Sequence, residues 1–320
     1  MRLRKLFGLM VMGMLCMGQA GAVNAADAYP SKDVRFLCWS AAGSSLDVMA
    51  RTLGVEMEKI TGKTFVVENR PGGSGAVAMS IAKSQPANGH VILSTTSSFT
   101  FNLAQGNIPF TLNDFTLVRA VEAEPVSVAV LKNSRFKTLD DFLEALRKGE
   151  KLRVGGFASA GFVHFVYYKL QQAAKVKGVW VPFEGGNQAA TALLGGHLDA
   201  AVMTPSSGLS SIQNGDIRLL AVSAPERSDF YPDVPTMKEL GYDVDEQIWR
   251  GVMVKSGTPE EICDALGAVI DKATQSPGWK NTMKTRFQSP YAISMKDLNK
   301  KAAVEIDERR VFLKTMGVLK

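Results

Sequence analysis

Short, unbroken apolar runs alternate along this chain with stretches in which apolar residues recur at three- and four-residue steps. The first pattern predicts buried strands and the second amphipathic helices. Positions 34–39 read as a strand and 46–60 as a helix, with Leu46, Met49, Ala50, Leu53, Met57 and Ile60 on one face. Further strands are expected at 64–68, 90–95, 125–131, 151–155, 178–182, 200–204 and 218–223, and further helices at 75–84, 139–147, 162–174, 188–194 and 259–274. Strands alternating with helices imply an α/β fold with parallel, doubly wound sheets. In such sheets ligands lie beyond the carboxyl ends of the strands, in the loops that open helices. Positions 122–125 and 221–225 are candidate crossings between two domains. They divide the chain into a discontinuous first domain, 26–123 with 225–320, and a second domain, 124–224, with a cleft between them.

The N-terminus has a different pattern. Arg2, Arg4 and Lys5 precede an apolar run from position 6 to 17, and small residues lead to Val23-Asn24-Ala25 before Ala26. A charged head, a short apolar middle and a small-residue cleavage site make a secretory signal peptide. The run is well short of the ~20 residues that span a bilayer. Cleavage is expected after Ala25, with the mature protein in the periplasm. Lipid attachment at Cys16 is disfavoured because Leu15, not a small residue, precedes it.

Charge then narrows the partners. The formal net charge of +6 falls to +3 once residues 1–25, which carry three cations and no acid, are removed. A mildly basic surface suits an anionic ligand. Lys and Arg are scattered and do not interleave with aromatics in a stripe, so nucleic acid is not an expected partner. His90, His164 and His197 have no ligand-like spacing, so no metal is expected. No cofactor is expected either. Cys38 and Cys263 remain after cleavage, and they read either as two buried thiols or as a disulfide that an oxidising compartment permits.

Two loops carry the candidate chemistry. The first, Ser40-Ala41-Ala42-Gly43-Ser44-Ser45-Leu46-Asp47, joins a buried strand to a helix. Small residues let backbone N–H groups approach a ligand, and the helix N-terminus favours an anion. Ser44 is equally an ordinary helix cap, and Asp47 suits the first turn. The second, Glu68-Asn69-Arg70-Pro71-Gly72-Gly73-Ser74-Gly75-Ala76, superficially resembles a dinucleotide fingerprint. It lacks the third glycine and the acidic residue that would hold a ribose, and reads as a tight turn into a helix. Neither Gly72-Gly73-Ser74-Gly75-Ala76 nor Phe157-Ala158-Ser159-Ala160-Gly161 completes a G-x-S-x-G nucleophile elbow. The chain is therefore read as a binding protein, not an enzyme, with a secreted hydrolase as the alternative.

Several segments in order resemble a known family. Tyr29-Pro30-Ser31-Lys32, Val34-Arg35-Phe36, Ala41-Ala42-Gly43, Asp47 and Ala50-Arg51 resemble the start of mature Bug-type proteins, the extracytoplasmic solute receptors of tripartite tricarboxylate transporters. Val66-Val67-Glu68-Asn69-Arg70-Pro71-Gly72 is similar to the family's most recognisable motif. Pro182-Phe183-Glu184-Gly185-Gly186, Leu194-Gly195-Gly196-His197-Leu198-Asp199, Pro235-Thr236 with Glu239 and Gly241, and Trp249 with Gly251 resemble its later segments. The resemblance implies a type II periplasmic-binding-protein-like fold. It implies a monomer that closes on a small organic anion and delivers it to membrane transporter subunits. A sensor module signalling to a membrane partner reads the same way. The family's first loop grips a carboxylate largely through backbone amides and bridging water.

The chain departs from the family pattern where ligands are chosen. Trp39-Ser40 replace Pro-Phe, Ser44 replaces a glycine and Leu46 a threonine, and the second glycine-rich loop is shortened to Ser159-Ala160-Gly161-Phe162-Val163-His164. Met203 stands where some acid-binding members carry Asp, which disfavours an ammonium group and suggests a carboxylate with an apolar body. The expected ligand-binding residues are Ser40, Ala41, Ala42, Gly43, Ser44, Ser45 and Asp47, then Thr96, Ser97 and Ser98, facing Ser159, Ala160 and Gly161, with Thr204 beside them. His164 is expected to cap or pack, His197 to be solvated, and Trp249 to pack in a core or between domains.

Overall fold

The computed structural model describes residues 29–320, so the expected signal peptide lies outside the described part. The chain forms two mixed sheets flanked by helices. From the N-terminal side it builds β1 (Val34–Cys38), α1 (Ser45–Thr61), β2 (Phe65–Asn69), α2 (Ala76–Ser84), β3 (Val91–Thr96), α3 (Ser98–Gln105) and β4 (Phe115–Pro125). It then crosses into β5 (Ser127–Leu131), α4 (Leu139–Arg147), β6 (Arg153–Phe157), α5 (Phe162–Ala174), β7 (Val179–Phe183), α6 (Gly186–Leu194), β8 (Ala200–Met203), α7 (Leu209–Gln213) and β9 (Ile217–Val222). It returns as β10 (Gln247–Lys255) and ends with α8 (Glu260–Ala273), α9 (Pro277–Arg286), β11 (Ser289–Pro290) and α10 (Met295–Thr315).

The first sheet has the order β11-β4-β10-β3-β1-β2 and the second β7-β6-β8-β5-β9. The expectation of parallel sheets needs correction. β10 runs antiparallel to β3 and β4, and β5 runs antiparallel to β8 and β9. The reason lies in the crossings. Each inserted strand is the first after the chain arrives from the other sheet, so it enters at the end where its new neighbours finish. It follows that the carboxyl ends of the parallel strands in both sheets face one gap. Phe101 of α3 meeting Phe162 at the start of α5, with ring centres 6.2 Å apart, spans that gap.

The return crossing also falls later than expected. Val222 bridges Thr236, Tyr231 packs with Ala129 and Leu219, and the Tyr242 hydroxyl donates to Asp140, so residues 224–246 cover the second sheet. Ser223 binds the two crossings together. Its N–H donates to Val126 O, and its hydroxyl accepts from Val126 N and donates to Glu246 O at 2.5 Å.

The helices that frame the gap are locally specified. Ser44 caps α1, accepting from Asp47 N, and Gly62 ends it in the left-handed region. Thr138 and Asp141 form a capping box on α4. Cys38 and Cys263 are both buried free thiols in one apolar cluster, which resolves the alternative left open above.

Gly251 lies at a register shift between β10 and β4, where a Cβ would fall 2.0 Å from the Arg119 carbonyl oxygen. Backbone cannot move aside as a side-chain tip does. Gly251→Ala is therefore expected to cost about 1–3 kcal/mol, read as a lower urea midpoint with an unchanged m-value.

Candidate functional site

The loop after β1 is built from behind. Asp47 is buried, and its oxygens accept from Gly43 N at 2.8 Å, Arg51 Nε at 3.1 Å and Asn69 Nδ2 at 2.7 Å. Asn69 Nδ2 also donates to Ser40 O, and Arg51 Nη2 holds Asn69 Oδ1. Burial alone would lift the Asp47 carboxyl, but these bonds outweigh it and hold the group below the ordinary carboxylate range. Gly43 has φ +81°, a turn that an L side chain resists, and this brings its N–H back onto Asp47. Asp47 is thus a strut for the loop. Ser44 is a cap, and the Ser45 hydroxyl accepts from Arg286 Nη2 at 2.9 Å. The exposed Ala41 and Ala42 keep backbone N–H groups with no acceptor among the described residues, in front of the 17-residue α1.

The second loop is a seat for Trp39. A Cβ on Gly75 would fall 1.5 Å from the Trp39 ring, so glycine is required there. Ser74, at φ 55°, is held through its carbonyl by Asn102 Nδ2.

At the end of β3 Thr96 is half-buried, and Ser98, which opens α3, is exposed. Ser97 is fully buried: its N–H donates to Trp249 O, and its hydroxyl has no partner. Trp249 itself is core, with its indole N–H on Glu305.

Across the gap, Ala158 and Ala160 adopt φ values of 58° and 55°, and such non-glycine turns persist only where surroundings enforce them. Ala158 N donates to Phe183 O, Trp180 Nε1 donates to Ala158 O at 2.9 Å, and Ala160 N donates to His164 Nδ1 at 3.0 Å. His164 lies flat on Trp180, 4.4 Å between centres, and meets Phe312 edge-on. With Nδ1 accepting, the ring proton sits on Nε2, and burial lowers its pKa to about 4. The exposed Ser159 is carried on this fixed turn, Ala160 is buried and Gly161 precedes α5. The Thr204 hydroxyl pairs with Ser207 at 2.9 Å and Ser206 at 3.3 Å. Met203 is buried against Gly208 in the second sheet's core, which removes it as an argument about the ligand.

Sequence reasoning missed the floor of the gap. Arg250 on β10 is buried between Glu122, at 2.9 Å, and Glu124, at 3.4 Å, on β4. Glu124 Oε1 also accepts Ser206 N at 2.9 Å, joining the floor to the Thr204 loop. Burial pushes the Glu122 carboxyl up further than Arg250 pulls it down. Two acids two apart in a strand, Glu122-Ala123-Glu124, were the available signal. Among the described residues no group of three His, Cys, Asp or Glu side chains is arranged to hold a metal. A cavity of about 600 Å³ lies elsewhere, between α4, β9 and residues 230–235. Two of its charged side chains are engaged internally: Arg218 donates to the carbonyls of Lys132 and Phe136, and Asp140 accepts from Tyr242.

Comparison with known proteins fits this geometry. The sequence profile of the family described as tripartite tricarboxylate transporter family receptor matches residues 49–318. Protein BugT of Bordetella pertussis is 31% identical over 271 residues, covering 81% of each chain. A TctC solute binding protein from Polaromonas superposes with a TM-score of 0.82 at 24% identity, covering 90% of this chain and 99% of that one. An R. palustris protein solved with adipate gives a TM-score of 0.74 at 23% identity, covering 90% and 98%. These superpositions identify the fold as that of type II periplasmic binding proteins.

Asp47→Asn is expected to cost about 1.5–3 kcal/mol at pH 7, the range for hydrogen bonds to a charged group. A lowered native pKa gives stability that is present above the unfolded value of about 3.9 and lost as pH falls through the folded one. The gap between wild type and Asp47→Asn in urea titrations should therefore close below about pH 4. His164 behaves as a base kept neutral. Its unfolded form takes up a proton near pH 6.5 and the folded form only at about 4, so stability falls as pH drops through that window. NMR titration of the His164 ring should show the low midpoint, and His164→Phe should remove that part of the slope.

Proposed function

The chain belongs to the tripartite tricarboxylate transporter receptor family, and we propose that it captures a small organic carboxylate in the gap between its sheets and delivers it to the membrane subunits of such a transporter. Family members are periplasmic solute receptors and perform no chemistry. On this reading the two sheets and their helices are two lobes, the first built from both ends of the chain. Residues 1–25 direct export and are removed after Ala25.

The observation that carries the reading is the pair of unengaged N–H groups at Ala41 and Ala42. They stand at the positive end of α1, on a turn that Asp47 and Asn69 hold rigid. Backbone donors fixed in advance cost little ordering on binding and favour negative charge. Ser159 on its turn and Thr96 at the end of β3 would add hydroxyl contacts. Ser97, fully buried, and Thr204, whose hydroxyl pairs with Ser207, would reach a ligand only if their surroundings opened. Phe101 and Phe162 would border an apolar ligand body. A dicarboxylate is the favoured class, in line with the adipate in the R. palustris protein of the same fold.

A thermal-shift and calorimetry panel of mono-, di- and tricarboxylates, aromatic acids and amino acids tests this. A carboxylate at a hundred times its Kd is expected to stabilise the protein by about 2.7 kcal/mol. A panel in which only amino acids shift the melt would overturn the proposal.

A further inference from the structure

We propose that Arg286 is the cation that makes the first loop selective for a charged carboxylate over its neutral amide, an inference that rests on the binding reading above. Four observations converge on this side chain. Arg286 is the last residue of α9, and Phe287 ends that helix at φ 57°. The Phe287 ring packs on Phe230 at 5.1 Å and Tyr231 at 5.6 Å, both part of the segment covering the second sheet, so Arg286 stands where the two lobes meet. Its Nη2 donates to Ser45 Oγ, the first residue of α1, adjoining the Ala41–Gly43 turn. Its guanidinium has no carboxylate within 4.0 Å among the described residues, although Arg35, Arg119, Arg250 and Arg309 all have one. Its Nε is buried and has no acceptor.

A part-buried cation with an orphaned donor has given up hydration without receiving an anion in return. Glu122, which lies near enough to feel the Arg286 charge weakly, already holds Arg250. The missing partner is supplied if the ligand carboxylate lies between the Ala41 and Ala42 amides and the guanidinium. A purely structural Arg286, bracing Ser45 and balancing Glu122, would leave the choice between acid and amide unchanged. A guanidinium that meets the ligand would set it, and its planar fork would not be matched by an ammonium.

The test compares the best carboxylate from the panel with its amide by calorimetry, in the wild type, Arg286→Gln and Arg286→Lys. Arg286→Gln is expected to weaken carboxylate binding about tenfold or more and to collapse the preference for the acid, with amide affinity little changed. Arg286→Lys is expected to fall between the two, and it keeps the question open to measurement if Arg286→Gln fails to fold. Unchanged acid-over-amide preference in a folded variant would overturn the role given to Arg286 while leaving the binding function standing. A wild type that binds no carboxylate would instead overturn the function itself, and this inference with it.

Discussion

Arg250 is the constraint on which the arrangement of the molecule depends. Two carboxylates on one strand, Glu122 and Glu124, are buried at the point where the chain leaves the first sheet. Buried charges of one sign need an opposite charge with good geometry, and breaking such a cluster costs several kcal/mol. Arg250 can supply it only if β10 lies directly beside β4, and that placement makes the first sheet mixed. Glu124 then reaches across to the Ser206 amide, and Ser223 ties both crossings to each other. The two sheets are therefore joined through one buried polar cluster, which positions the strand ends beside it.

Outward from the joint, the loops divide their polar groups between holding and offering. Asp47, Asn69 and Arg51 engage one another and the loop backbone, leaving the Ala41 and Ala42 amides free. Trp180 and His164 do the same for the Ala158–Ala160 turn across the gap. Large aromatic side chains thus replace flexible backbone as the means of fixing geometry, and Trp39 on Gly75 is a third case. Trp39, Ser44 and the short Ser159–His164 loop are thus parts of the scaffold that holds the two turns in shape.

The same joint explains what was legible in the sequence. Helices such as α4 and α5 were readable to the residue because their apolar faces are uninterrupted and their caps are local. β4 and β10 were not, because Arg119, Glu122, Glu124 and Arg250 break their apolar runs, and buried charge looks like loop. α10 was hidden in the same way, since Glu305 and Arg309 lie on its buried face. The first loop was legible because small residues between a strand and a helix have a local reason. Within it, Asp47 could not be assigned as strut or contact, because its partner Asn69 lies in another loop. Arg286 left no sequence signal at all, since its partner Ser45 is 241 positions away.

Arg309 shows how the second half of the gap is fixed from a distance. It is fully buried, paired with Glu305 and Thr100, and stacked over Phe101, Phe162 and Phe165. Two of its donors have no hydrogen-bond acceptor, so ring faces, two of them from α5, stand in for solvent. Phe312 continues the contact to Phe165, Tyr168 and His164. α10 thereby grips α3 of the first lobe and α5 of the second. Separating these helices would uncover the two guanidinium donors that only the rings cover, while Glu305 and Thr100 keep the third. Arg286, bonded to Ser45 at the start of α1, is in turn braced through Phe287 against the segment that covers the second sheet.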